Sequence, residues 1–375
     1  MQIIILAAGS GRRMGELTSN THKSLLKIDD HDSFLSKLLH QLNEYEISKI
    51  VVVTGFCSQD IANTVSQFQQ NFEIIYNDRY KEDTNIYSLK LALDKLSPFE
   101  NTIIIEADTI IDDLALKDIY FSSTQDKSIW FTRGKFTSTQ YGGILNSSND
   151  NNVNDIRIVK EYSEAYKNYH KLLGVTTIGK NEFKTYYSLV KEYVEKTIKQ
   201  YYLIPWIENL KLLPCEMFDL EEDYVTSINT GEEYNQYIKA SNKRKPLILE
   251  YELLNIKKIH PIENYIEKRK DLIFNKIKND GYWIKPIIID KSDFLIMDGH
   301  HRFEAAKELG FRNIPVIKID YDLIPIWSLR KSEIVTKELV KEKALKGDIY
   351  PNKTVKHSFP FEVANCKIPL KELLQ

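Results

Sequence analysis

Two places in this 375-residue chain combine side chains able to handle phosphate. In the first, an apolar run from Ile3 to Leu6 passes through Ala7 and Ala8 into Gly9-Ser10-Gly11, then Arg12-Arg13-Met14, with Lys23 after a polar interval. The glycines allow close backbone approach, so that successive N–H groups can face a polyphosphate whose charge Arg13 and Lys23 neutralise. The spacing fits neither G-x-G-x-x-G nor a P-loop, and an ordinary turn is the competing reading of the loop taken alone. Asp108 follows the apolar strand Thr102–Glu106 in Glu-Ala-Asp. A carboxylate there suits Mg²⁺, which shares oxygen ligands with substrate phosphates; the alternative is an Asp that opens a turn. In the second place, Leu295-Ile296-Met297-Asp298-Gly299-His300-His301-Arg302 leads into Phe303-Glu304-Ala305-Ala306, a strand, tight turn and helix. Gly299 admits a phosphate to the helix N-terminus, where His300, His301 and Arg302 add donors to the helix dipole. Adjacent histidines on a helix point about 100° apart, which argues against a shared metal ion.

The elements that must position these groups read as strands alternating with helices. Ser33 to Glu46 carries Phe34, Leu35, Leu38, Leu39 and Leu42 at helical spacing, and Lys49 to Gly55 is a Val-rich strand. The cycle repeats as helix Ser58–Phe68, strand Glu73–Tyr76, helix Ile86–Leu96 and strand Thr102–Glu106. This order predicts an α/β fold with a doubly wound, mainly parallel, Rossmann-like sheet, and ligands at the carboxyl ends of its strands. Between Trp130 and Asn209 the pattern loosens. Asn146 to Asn154 reads as a surface loop, and Tyr162, Tyr166, Tyr201, Tyr202, Trp206 and Glu208 suit either an ammonium site or a core, helical spacing favouring core. The polar, basic stretch Ala240 to Pro246 divides the chain into domains 1–242 and 246–375, as the length leads one to expect. Beyond it come an amphipathic helix around Lys268 to Lys278 and a strand Pro286–Asp290, the start of a smaller α+β domain.

Composition narrows the classes. A net charge of −2, with lysines and glutamates interspersed, argues against a nucleic-acid partner. Cys57, Cys215 and Cys366 are far apart, odd in number and without metal-ligand spacing, which makes a reduced cytoplasmic setting the default. No apolar run approaches the roughly 20 residues that cross a bilayer, and the N-terminal run is short and lacks a basic leader, so a soluble chain with no membrane partner is expected. A homo-oligomer is left open.

The string Leu6-Ala7-Ala8-Gly9-x-Gly11-x-Arg13-Met14 with Lys23 downstream resembles the signature of nucleotidyltransferases that act on sugar phosphates and phosphocholine. The resemblance implies that Leu6, Ala8, Gly9 and Gly11 line the nucleotide, that Arg13 and Lys23 hold its triphosphate, and that Asp108 binds Mg²⁺. In that family an acidic or amide residue near the domain's end is the second metal ligand. Asn229, in Ser227-Ile228-Asn229-Thr230, stands in its place. The segment from Asn77 through Tyr80 to Thr84-Asn85-Ile86-Tyr87-Ser88-Leu89 is similar to the phosphocholine and aminoethylphosphonate cytidylyltransferases. It implies CTP as nucleotide and a small phosphorylated amine as acceptor, although Asn85 and Ser88 equally suit helix capping.

The second string, Asp298-Gly299-His300-His301-Arg302 followed by Ala305-Ala306, resembles the ParB-like fold of the free serine kinases. The likeness extends through Ile256–Glu263, Gly310–Tyr321, Trp327–Arg330 and Tyr350–His357. It implies Glu263 as the base that takes the serine proton, with a solvated helix-start Glu as the bland alternative. Asp298 would hold Mg²⁺ or the substrate amine, and His300, His301 and Arg302 would contact phosphate. Lys353, Thr354 and His357 would complete the clamp, unless Pro351–His357 is only a terminal loop. Neither the Arg-rich turn nor the DNA-binding helix-turn-helix of the partitioning proteins is seen.

Together these resemblances imply a bifunctional enzyme. One domain would phosphorylate free L-serine with ATP or ADP; the other would transfer CMP from CTP to O-phosphoserine, giving CDP-L-serine and pyrophosphate. The alternative is a cytidylyltransferase for phosphocholine or phosphoethanolamine, with a nucleotide-binding regulatory ParB-like domain.

Overall fold

The computed structural model describes residues 1–29, 32–68, 70–220, 225–243, 250–330, 332–359, 361, 363 and 365–374. The chain divides into two compact units, Met1–Lys243 and Arg244–Gln375.

The first unit opens with β1 (Gln2–Ala7), α1 (Phe34–Leu42), β2 (Lys49–Thr54), α2 (Ser58–Val65), β3 (Phe72–Tyr76), α3 (Ile86–Leu93) and β4 (Thr102–Glu106). Strands β4, β1, β2 and β3 lie side by side in parallel. Their inner residues, Ile3–Ile5, Ile50–Val53 and Ile103–Ile105, are buried, as continuous apolar runs should be when helices cover both faces of a sheet. Helix α1 starts at Ser33, whose side chain accepts from the Ser36 N–H while Ser36 returns a bond to the Ser33 backbone.

After a short strand β5 (Thr109–Ile111) and α4 (Asp113–Ser122), the sheet is extended by β6 (Ile129–Lys135), β7 (Gly142–Ser147), β8 (Val153–Val159) and β9 (His170–Ile178). Strand β9 runs antiparallel to both β4 and β6. The Asn-rich stretch is narrower as a loop than expected, because β7 and β8 form a hairpin whose tip is only 148–152. Helices α5 (Lys180–Lys196) and α6 (Ile204–Glu208) precede β10 (Glu216–Leu220), which pairs in parallel with β6. Strand β11 (Val225–Ser227) then pairs antiparallel with β5, and α7 (Gly231–Lys243) closes the unit. The first four linker residues read from the sequence, 240–243, are thus the last turn of α7. Their polar sequence holds no helix breaker before Pro246, and it is the residue before a proline that leaves helical geometry. The rest of that linker, up to Pro246, lies outside the described residues.

The second unit contains β12 (Glu252–Asn255), α8 (Glu267–Asp280), β13 (Tyr282–Trp283), β14 (Ile287–Asp290), β15 (Ile296–Asp298), α9 (His300–Glu308), β16 (Asn313–Ile319), β17 (Ile326–Ser328), α10 (Lys337–Lys346), β18 (Val355–His357), β19 (Ile368–Pro369) and α11 (Leu370–Leu373). A sheet ordered β12-β16-β14-β15 separates two apolar clusters. One gathers Trp283, Phe303, Ile314 and Leu373, the other Ile262, Ile317, Val340 and Tyr350. Among the described residues no helix is long and apolar enough to cross a membrane.

Because each unit encloses its own apolar clusters, fragments 1–242 and 246–375 are each expected to be soluble and to melt cooperatively by circular dichroism. Insolubility of both would place the boundary elsewhere.

Candidate active sites

In the first unit, the loop after β1 leaves Gly9 open to solvent, with no atom within 4 Å of where a Cβ would stand. Gly11 has φ +63°, a conformation that favours glycine, and its carbonyl accepts from Met14 N–H at 2.8 Å and Thr18 Oγ1 at 3.0 Å. Leu6 and Ala8 contribute carbonyls that accept from Ala107 and Phe56 N–H groups, which ties the loop to its neighbouring strands.

The expected metal and phosphate residues come together at this edge. Lys23 Nζ donates to Asp108 Oδ2, and Arg13 donates to Asn229 Oδ1 at 2.8 Å and to Tyr141 Oη at 2.9 Å. The β5–β11 pairing brings Asp108 and Asn229 into proximity. It continues into a bond from Ile228 N–H to the Asp108 carbonyl at 3.2 Å, one residue short of Asn229. Glu233 steadies Asn229 and Thr230 by accepting both backbone N–H groups, at 2.6 and 3.0 Å. His22 is buried and held neutral, its pKa lowered to about 4 by burial and then by Lys23. Its Nδ1 accepts from Ser24 N–H and so fixes the 3₁₀ turn that begins at Lys23.

A carboxylate and an amide oxygen form a hard-oxygen pair of the kind a divalent cation shares with phosphates, so the residues present fit such an ion. The sequence reading did not single out Glu106 as part of this site. Its pKa is raised to about 7, chiefly by burial and then by the charge of Asp108. The signal was present: Glu106 ends the apolar strand only two residues before Asp108, close enough for the Asp108 charge to act on it.

The segment carrying Asn77, Asn85 and Ser88 is a scaffold. Asn77 is fully buried and donates to Asp83 Oδ2 and Ser88 Oγ, both at 2.9 Å. Asp83, rather than Asn85, satisfies the start of α3, accepting the N–H groups of Tyr87 and Ser88 at 3.0 and 2.8 Å. Asn85 instead accepts from Tyr202 N–H at 2.8 Å. Trp130, Tyr186, Tyr202 and Trp206 pack together as core.

In the second unit, Gly299 turns with φ +110° between β15 and α9; a Cβ there would meet Arg302 Nη2 and Ile287 Cγ1 at 3.0 Å. Arg302 donates to Asp298 at 2.9 Å and to the Lys285 carbonyl at 3.1 Å. Burial pushes Asp298 up, but Arg302, Lys285 and His300 outweigh it and hold the carboxyl below its ordinary range. His300 and His301 accept at Nε2 from the N–H groups of Ile262 (3.2 Å) and Ile266 (3.1 Å). Both are kept neutral, with pKa lowered to about 4 first by burial. Each therefore carries its proton on Nδ1 and adds one donor, without positive charge. The two rings pin the loop that carries Glu263.

Glu263 is no solvated surface carboxylate. Its Oε1 accepts from Thr354 N–H at 2.7 Å and from Val355 N–H, and burial outweighs these bonds to raise its pKa to about 7. This corrects the expected clamp in two places. Thr354 is fully buried, with its hydroxyl donated to the Pro351 carbonyl at 2.6 Å. His357 is buried against Tyr321, Nε2 lying 3.1 Å from its hydroxyl. Neither side chain is presented to an incoming phosphate; Lys353, half-buried, acts electrostatically on His301. Among the described residues, the group of acidic or metal-binding side chains at ion-binding distance is Glu267, Asp271 and Glu308, and Lys270 already pairs with all three.

Known proteins resemble the chain in two separate stretches. Residues 3–134 match the MobA-like NTP transferase domain, and residues 238–322 match the ParB N-terminal domain. The chain thus joins an N-terminal MobA-like NTP transferase domain to a C-terminal ParB-like domain. The choline-phosphate cytidylyltransferase of Haemophilus influenzae is 27% identical over 251 residues, which cover 65% of this chain and 100% of that protein. The ATP-dependent L-serine kinase of Staphylothermus marinus is 40% identical over 75 residues, 18% of this chain and 29% of that protein's length. The solved CTP:phosphocholine cytidylyltransferase of Streptococcus pneumoniae shares the fold of the first unit, with a TM-score of 0.54 at 22% identity over 64% of this chain and 98% of its own.

Two substitutions test the first site. If Asp108 holds a divalent cation, Asp108→Ala is expected to lower pyrophosphate release from CTP and a phosphorylated acceptor by more than about tenfold. Asp83→Ala removes several bonds at the start of α3 and should lower stability by about 1–2 kcal/mol, read as a lower thermal midpoint.

Proposed function

We propose that the chain is a bifunctional enzyme whose second unit phosphorylates free L-serine, using ATP or ADP, and whose first unit transfers CMP from CTP to the O-phosphoserine so made. The observation that carries this reading is Glu263: a buried carboxylate with pKa near 7, seated on backbone N–H groups. A hydroxyl nucleophile needs a base poised near the working pH, and this group is one. Arg302, the Nδ1–H groups of His300 and His301, and Lys353 supply donors and charge for the transferred phosphoryl group. The relative named as a serine kinase supports this reading of the C-terminal ParB-like domain.

The first unit needs no base, because the attacking phosphate oxygen is already ionised. Gly9 and Gly11 present backbone N–H groups to the triphosphate, and Lys23 and Arg13 turn from Asp108 and Asn229 onto its oxygens. A divalent cation, with Mg²⁺ the best fit to this oxygen pair, would be held by Asp108 and Asn229 and would neutralise charge on nucleotide and nucleophile. Positioning and electrostatics then account for the rate. A choline- or ethanolamine-type acceptor, with a nucleotide-binding regulatory second unit, is the competing reading favoured by the relatives of the first unit.

The deciding experiment incubates the full chain with serine, ATP or ADP, CTP and Mg²⁺ and identifies products by mass spectrometry. CDP-serine is expected; failure to form phosphoserine would overturn the kinase assignment. Glu263→Gln should slow serine phosphorylation by about 10²- to 10⁴-fold while cytidylyl transfer from supplied phosphoserine persists. The base must be ionised, so serine phosphorylation should fall about tenfold per pH unit below about 7 and level off above it.

A further inference from the structure

Beside the proposed metal ligands of the first unit lies a group of charges that the phosphate chemistry leaves unused. Glu106, at the end of β4, faces Gly174 across the β4–β9 ladder. A Cβ on Gly174 would stand 3.0 Å from Glu106 Oε2 and 2.8 Å from Thr109 Oγ1, so only a glycine lets β9 lie this close against these two residues. Thr109 is 3% exposed, and its hydroxyl has no hydrogen-bond partner among the described residues. Lys171 and Arg133, both half-buried, are near enough to oppose each other's charge. Lys171 spends two donors on the Gly143 and Leu172 carbonyls, at 3.1 and 3.2 Å, and Arg133 one on Thr226 Oγ1 at 3.1 Å. No carboxylate among the described residues lies within 4 Å of either cation, although Glu106 acts on Lys171 at longer range.

We propose that Glu106, Thr109, Lys171 and Arg133 form an acceptor subsite for a zwitterionic α-amino acid head group, Glu106 taking the ammonium and Lys171 with Arg133 the carboxylate. This rests on phosphoserine being the acceptor and names what selects it. Two partly desolvated cations side by side are destabilising until an anion enters, and the acceptor's carboxylate is that anion. A choline or ethanolamine head group brings only positive charge, which Glu106 would welcome and the two cations would repel. The position suits the reaction. Thr226 holds Arg133 on β11, the strand that leads into Asn229, and Glu106 is two residues from Asp108. The phosphate would thus rest on the metal side and the amino acid head against Glu106, Lys171 and Arg133.

The test measures kcat/KM for cytidylyl transfer by the full chain with CTP and O-phosphoserine, phosphoethanolamine or phosphocholine, alongside calorimetric binding of O-phosphoserine. The wild type is expected to prefer phosphoserine. Lys171→Met and Arg133→Met should each weaken it by about ten- to a hundredfold, mainly in KM, with the KM for CTP unchanged and phosphoethanolamine unaffected or improved; Lys171→Arg should restore part of the loss. Glu106→Gln should weaken all three amine acceptors. If the wild type binds and prefers phosphoserine but both Met variants keep that preference, the subsite is wrong and the acceptor stands. If the wild type prefers phosphocholine or phosphoethanolamine, or binds no O-phosphoserine, the acceptor and the subsite both fall.

Discussion

A carboxylate taken out of water must be compensated or must give up its charge, and the chemistry of both units follows from how this constraint is met. Asp108 is buried against the ammonium of Lys23, half-buried Glu263 rests on peptide N–H groups, and the more exposed Asp298 is matched by Arg302. The differences have functional meaning. Lys23 and Arg302 are side-chain cations, which under the proposed function would exchange a carboxylate for a phosphate. Peptide groups are fixed, and compensate Glu263 only in part, so burial raises its pKa to about 7.

The histidines of the second unit show the same economy. His357 is buried, His300 and His301 are half-buried, and burial keeps all three uncharged. Their rings act as neutral struts. Two of them fasten the 262–266 loop to the start of α9, so Glu263 and the N-terminus of α9 are held as one piece. A charged imidazole in either place would lose the lone pair that accepts from the loop.

The parallel half of the first sheet was legible because apolar runs and helical spacing alternate cleanly from Ile3 to Glu106. The glycine loop, Arg13, Lys23, Asp108 and Asn229 were legible because their types are unusual for a strand edge, and the structure pairs Lys23 with Asp108 and Arg13 with Asn229. What escaped was set by pairing between distant segments. Strands β5 and β11 are three residues each and carry no periodic pattern of their own. Lys171 and Arg133 look like surface cations until β6 and β9 are laid side by side. Thr354 and His357 were read as phosphate contacts from their polar side chains. Thr354 in fact serves through its backbone N–H, which no side-chain pattern reveals, and His357 packs inside.

The short β5–β11 ladder also sets an order of assembly. The glycine loop, Lys23 and Asp108 all belong to the first third of the chain, whereas Asn229 arrives only with the final strand of its unit. During synthesis from the N-terminus, the early β-α-β cycles can therefore collapse around their apolar strands long before the oxygen pair exists. The binding edge is finished by a non-local pairing whose loop-closure entropy is met last. Metal-dependent nucleotide binding would then mark the moment when the unit has closed on itself, and a chain released early would carry the phosphate loop without its counter-ligand.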